Sequence, residues 1–127
     1  MRKFALALFV VVIVGLAVSL TGSPDLAQSD QQQPMTIRGE IWDSTCAAAS
    51  THAKMMAKME AKDAKECTLN CVKAGAQFVL LNPDDKTIYR LDSQDKVKEY
   101  AGQMVTVIGT FDRSTGILHV DRIESVT

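Results

Sequence analysis

Residues 77–111 read QFVLLNPDDKTIYRLDSQDKVKEYAGQMVTVIGTF, and this stretch decides the fold. Gln77–Asn82 is an apolar run of strand length. Pro83-Asp84-Asp85-Lys86 is turn chemistry, with proline presetting φ. In Thr87–Leu91, Ile88 and Arg90 face away from Thr87, Tyr89 and Leu91, a period of two that makes the second arm of a hairpin. Asp92–Tyr100 reads as one or two helical turns capped by Asp92 or Ser93 and stopped at Gly102. Met104–Phe111 is a further strand with Val105 and Val107 inward and a bend at Gly109. The order is strand, strand, short helix, strand.

Working outward, Asp112–Gly116 (DRSTG) is a hairpin loop with glycine where a positive φ is needed, and Ile117–Val126 is the last strand. Upstream, Met35–Trp42 (MTIRGEIW) alternates with Gly39 on the inward face, where a glycine marks a bulge or sharp bend. Between this strand and Gln77 lies a segment rich in Ala, Lys, Met and Glu. It has no Pro or Gly from Cys46 to Ala74. Asp43, Ser44 and Thr45 supply capping side chains at its start. Asp63 with Glu66 resembles a capping box, so a second helix is expected to begin at Ala64 and to stop at Gly75. Two short helices, or one kinked helix, are expected there. The fold class is mainly β with a helical insert (α+β). It is a five-stranded OB-like barrel with an α-helical insert at residues 46–74 between strands 1 and 2 and a short helix between strands 3 and 4. An open α+β sheet sandwich built from the same elements is the alternative.

The chain has 127 residues, enough for one ordinary domain, and 14 Lys plus Arg against 15 Asp plus Glu. That balance excludes a basic nucleic-acid binder and an acidic disordered chain, so no nucleic acid is expected as a partner. The 46% hydrophobic content overstates the core. Arg2 and Lys3 precede an uncharged run from Phe4 to Leu20, the pattern of an export signal. Residues 1–27 are expected to be that signal, cleaved after Ala27 or after Ser19, with an uncleaved anchor as the competitor. Residues 28–34 read as a polar linker and 35–127 as a single domain. The mature protein is then expected in the periplasm or outside the cell, without a membrane segment.

Cys46, His52, Cys67 and Cys71 all fall in the insert, with spacings C-x5-H and C-x3-C. Three readings follow. An exported chain matures where thiols oxidise, so a disulfide from Cys46 to Cys67 or Cys71 is the default. Cys67 with Cys71 is the poorer pair, because i and i+4 side chains sit roughly 5–6 Å apart at Cβ whereas a disulfide wants roughly 3.5–4.5 Å. A disulfide from Cys46 would stabilise the chain by about 3 kcal/mol by closing the loop. The second reading is a metal site. Three thiolates and an imidazole make a tetrahedral set for zinc or a soft set for copper(I). His52, Met56 and Met59 recur at i, i+4 and i+7, so Met56 and Met59 form an auxiliary thioether face. The same stripe is what an amphipathic helix needs for packing, with Lys54, Lys58, Lys62 and Lys65 solvated opposite. The third reading is a reactive thiol at a helix N-terminus, Cys46 or Cys67. C-x3-C is not the C-x2-C of thioredoxin-like enzymes. His119 is explained as an outward polar residue in the last strand, and Trp42 as core or rim packing. No Gly-rich phosphate loop, serine elbow or H-E-x-x-H is present in the sequence. The expectation is a non-enzymatic binding or structural module for a protein or small ligand of unknown identity.

The string G-E-I-W-D-S-x-C at 39–46, His52, E-C-T-x-x-C-V-K-A-G-A-x-F-V-L at 66–80, and A-G-x-x-V-x-V-x-G at 101–109 together resemble a family of small exported bacterial proteins that carry a domain of unknown function. The resemblance runs over about residues 36–125. It implies export and a β-rich domain with a helical insert. It implies no activity, so disulfide and metal site stay open.

Overall fold

A computed structural model describes residues 32–126. The expected export signal and the first residues of the linker lie outside the described residues. Strand β1 (Gln32–Asp43) leads into three helices, α1 (Ser44–Ala49), α2 (Ala53–Met59) and α3 (Ala64–Lys73). Strands β2 (Phe78–Leu81) and β3 (Ile88–Leu91) follow. Helix α4 (Gln94–Val97) runs on into a 3-10 turn, and β4 (Met104–Asp112) and β5 (Ile117–Ser125) complete the chain. Among these elements no helix is long and apolar enough to cross a membrane.

The sheet closes into a barrel in the order β1-β2-β3-β5-β4, so the OB-like reading holds and the open sheet does not. Closure depends on the length of β1. Its first part pairs antiparallel with β4, from Gln32 opposite Asp112 to Glu40 opposite Met104. Its last part pairs antiparallel with β2, from Glu40 opposite Leu81 to Asp43 opposite Phe78. The strand therefore starts three residues before the expected Met35: Gln32, Gln33 and Pro34, read as linker, already belong to the β4 ladder. The remaining seam joins β3 to β5 in parallel, through Arg90 opposite Ile117.

The two in-strand glycines act differently from each other. Gly109 lies at a register shift between β4 and β5, the expected bend. Gly39 sits in an unbroken β1 register, so the expected bulge is absent. Its role is close approach. A Cβ there would stand 2.8 Å from the Leu81 carbonyl oxygen and 2.9 Å from the Leu80 side chain, at the place where β1 passes from β4 to β2. Alternation from the strands fills the barrel: Ile41, Leu80, Val105, Val107 and Leu118 are fully buried, and α4 adds Val97.

The insert contains three helices where one or two were expected. Ser50 ends α1 and Glu60 ends α2, both in the left-handed conformation, and neither residue type announces such a stop. The capping box appears as read. The Glu66 N–H donates to Asp63 Oδ1 at 2.8 Å, and α3 begins at Ala64.

At α4 the expectation fails in part. Ser93 is the cap residue but makes no side-chain cap hydrogen bond, and Asp92 reaches across to β5. Its Oδ1 accepts from the Val120 N–H at 3.0 Å, and its Oδ2 pairs with His119 Nδ1 at 3.0 Å. Partial burial pushes the Asp92 carboxyl up. The hydrogen bonds from Val120, His119 and Ser93 outweigh this and hold it below the usual carboxylate value. A carboxyl whose folded value lies below its unfolded value contributes stability above the unfolded value, about 3.9, and loses it as pH falls through the folded one. Thermal stability of the protein should therefore fall below about pH 4, and Asp92→Asn should remove part of that dependence. An unchanged acid profile in the variant would refute the assignment.

Candidate metal centre

A second, smaller core lies between the barrel and the insert, and its buried members are the three cysteines. Each is placed by a different feature. The Asp43 carboxylate fixes Cys46: its Oδ1 accepts from the Thr45 N–H at 3.0 Å and from the Cys46 N–H at 2.8 Å, which caps α1. Cys67 and Cys71 lie one helical turn apart on the inward face of α3. His52 is the cap residue of α2, and its ring packs on Trp42 with centroids 3.9 Å apart.

The sequence placed Cys46, His52, Cys67 and Cys71 in the insert, and the structure brings them together. Cys46 Sγ, a ring nitrogen of His52 and Cys67 Sγ lie within 4.8 Å of one another. So do an Asp43 carboxylate oxygen, Cys46 Sγ and Cys71 Sγ. Cys46 is common to both groups. Asp43 is the member that sequence reasoning missed. It was read as a helix cap, which it is, but capping occupies only one of its oxygens. Met59 joins the cluster through its thioether, which accepts from the Cys71 thiol at 3.7 Å. Met56 packs beside the thiols with Met55.

The three thiols are free. The disulfide expected from Cys46 is not formed, because Cys46 Sγ and Cys67 Sγ stand 3.9 Å apart, a thiol–thiol contact and not a bond. Two sulfurs bound at about 2.3 Å to one tetrahedral ion are about 3.8 Å apart. The observed spacing is thus that of two ligands of one ion, and also that of two packed thiols. The polar atoms around them bear on which it is. Both ring nitrogens of His52 are shut off from solvent, and so is Asp43 Oδ2; none has a hydrogen-bond partner among the described residues. An apolar packing core needs no such groups, and each unpartnered buried polar group costs about 1–3 kcal/mol.

The environment also corrects the expectation of an activated thiol at Cys46. A helix N-terminus lowers a thiol pKa, but burial dominates at Cys46 and, with the Asp43 carboxylate beside it, drives the thiol far up. Burial, then the same carboxylate, pushes Cys71 up to about 11. These are protonated thiols whose protons a metal ion would have to displace, not exposed nucleophiles.

The remaining candidates fall outside the cluster. His119 is bound to Asp92 on the barrel wall. Trp42 packs against the cysteine core and His52, within the packing role read for it.

Among known proteins, no curated sequence matches this chain, and no solved structure does. The matched segment of a family model begins at Val72, one residue after Cys71. It takes in β2 to β5 and leaves the four Cys and His residues outside it. Over residues 72–126 the chain is similar to the family described as Protein of unknown function (DUF5818).

Proposed function

We propose that this protein binds one thiophilic metal ion, zinc or copper(I), between its barrel and its helical insert, with Cys46, His52, Cys67 and Cys71 as ligands. Asp43 Oδ2 is an oxygen donor in reserve. The observation that carries this reading is the His52 ring, both of whose nitrogens are buried and unpartnered and one of which lies within 4.8 Å of two thiol sulfurs. Thiolate and imidazole are the donors that zinc and copper(I) share. The donors sit on short helices fixed to a closed barrel, which suits holding an ion more than turning over a substrate. The N-terminal export pattern adds the setting, a periplasmic or extracellular one, where the ion would also protect the thiols from oxidation.

The disulfide reading keeps one observation in its favour. Cys46 and Cys67 are in thiol–thiol contact at 3.9 Å, so oxidation could join them and pin α1 to α3. The full chain, purified without air, separates the two. The metal reading expects about one zinc or copper per chain and, after denaturation with a chelator, all three thiols titrating. A metal-free protein with a single free thiol would establish the disulfide instead.

A further inference from the structure

The three sulfurs are not equally reachable. Cys46 and Cys67 are completely enclosed, whereas Cys71 forms part of the wall of a cavity of about 360 Å³ that opens to solvent. Met55 and Met59 line the same cavity, both half-buried, and Met59 Sδ already receives the Cys71 S–H at 3.7 Å. Ser44 and Thr45 at the start of α1 are the oxygen-bearing side chains in its wall, and none of the lining residues is charged. From solvent inward the donors therefore run from thioether, to one thiol, to the enclosed pair of thiols with His52.

That order discriminates between ions. A thioether is a soft, neutral donor that binds copper(I) and does little for zinc. The cavity wall carries no carboxylate of its own, and Asp43, whose carboxylate lies within 4.8 Å of Cys71 Sγ, is fully buried. We infer that the ion held at this centre is copper(I), and that Met55 and Met59 receive it and pass it to Cys71. The inference rests on the metal-site reading above. The transfer is a ligand exchange without redox change. A copper–thioether bond breaks as a copper–thiolate bond forms, Cys71 gives its proton to water, and the copper stays copper(I) throughout. Copper(I) tolerates two or three ligands, so it can be shared between Met59 and Cys71 as it moves. Packing alone would account for a methionine stripe on α2 but not for a thioether turned onto the single thiol that borders the opening.

The test uses the full chain, reduced and free of air, with Met55→Leu/Met59→Leu beside the wild type. Leucine keeps the volume and removes the sulfur, so folding should hold. Copper(I) is offered as its complex with a coloured chelator, and zinc is offered in the same way. The expected result is copper(I) transfer slowed about tenfold or more in the double variant, with zinc uptake within about twofold of wild type. Met59→Leu alone should act in the same direction and serves if the double variant does not fold. Copper(I) transfer that ignores both substitutions, or zinc uptake that falls in parallel, overturns this inference and leaves the metal site standing. A wild-type protein that takes up neither ion overturns both.

Discussion

Cys67→Ser is expected to abolish the rise in thermal stability that metal gives the wild-type protein. Cys67 is wholly enclosed, 3.9 Å from Cys46 Sγ and within 4.8 Å of a His52 ring nitrogen. Serine keeps the shape but offers a hard hydroxyl, so the site keeps its volume and loses a thiolate. Changes to groups that merely support metal ligands cost about 10–100-fold in affinity, and loss of a ligand should exceed that. An ion at about a hundred times its dissociation constant stabilises the folded state by about 2.7 kcal/mol. For a domain of this size that is a rise in melting temperature of about 10–20 °C. Wild type should show it on adding zinc or copper(I), and Cys67→Ser should not. Without metal the two proteins should melt within a few degrees of each other. Equal metal-induced shifts would remove Cys67 from the ligand set.

Gly109→Ala is expected to produce the largest loss of stability away from the metal centre. Gly109 lies in β4 between Met35 of β1 and Val120 of β5, where the β4–β5 register slips. An added Cβ would fall 2.0 Å from the His119 carbonyl oxygen and 3.1 Å from its carbon. The obstacle is backbone and cannot rotate aside, so β5 must move away and the barrel seam must open. Overpacking a core costs about 1–3 kcal/mol where side chains can adjust, and here they cannot, so the loss should be about 3 kcal/mol or more. That corresponds to a fall in melting temperature of about 12 °C or more. The damage is to the fold and not to the donors, since Asp43, Cys46 and α3 belong to the other end of β1. Protein that stays folded in the cold should still bind metal. A variant within about 0.5 kcal/mol of wild type would show that the slip in register absorbs the methyl group.

Much of the barrel was legible because its strands carry a period of two and its turns carry Pro, Asp and Gly at the required places. The capping box at Asp63 and Glu66 located α3 to the residue. Local signals failed where the cause was distant. Nothing near Asp92 reveals that β3 will lie parallel to β5, so its bond to the Val120 N–H was invisible and it was read as a cap. Ser50 and Glu60 adopt left-handed conformations without being glycine, and the three-helix insert was missed with them. At the candidate metal centre, spacing put four possible donors in one segment and helical periodicity put methionines beside them. The packing of α2 on α3 was not readable, and it is this packing that selects Met59 for Cys71. The unpartnered second oxygen of Asp43 was equally hidden, since sequence shows a cap but not which of its oxygens is spent.

X-ray absorption at the metal edge of the loaded, full-length protein tests the central claim most directly. The account predicts two or more sulfur scatterers at about 2.3 Å together with an imidazole nitrogen at about 2.0–2.1 Å. A shell of oxygen and nitrogen without sulfur would contradict it.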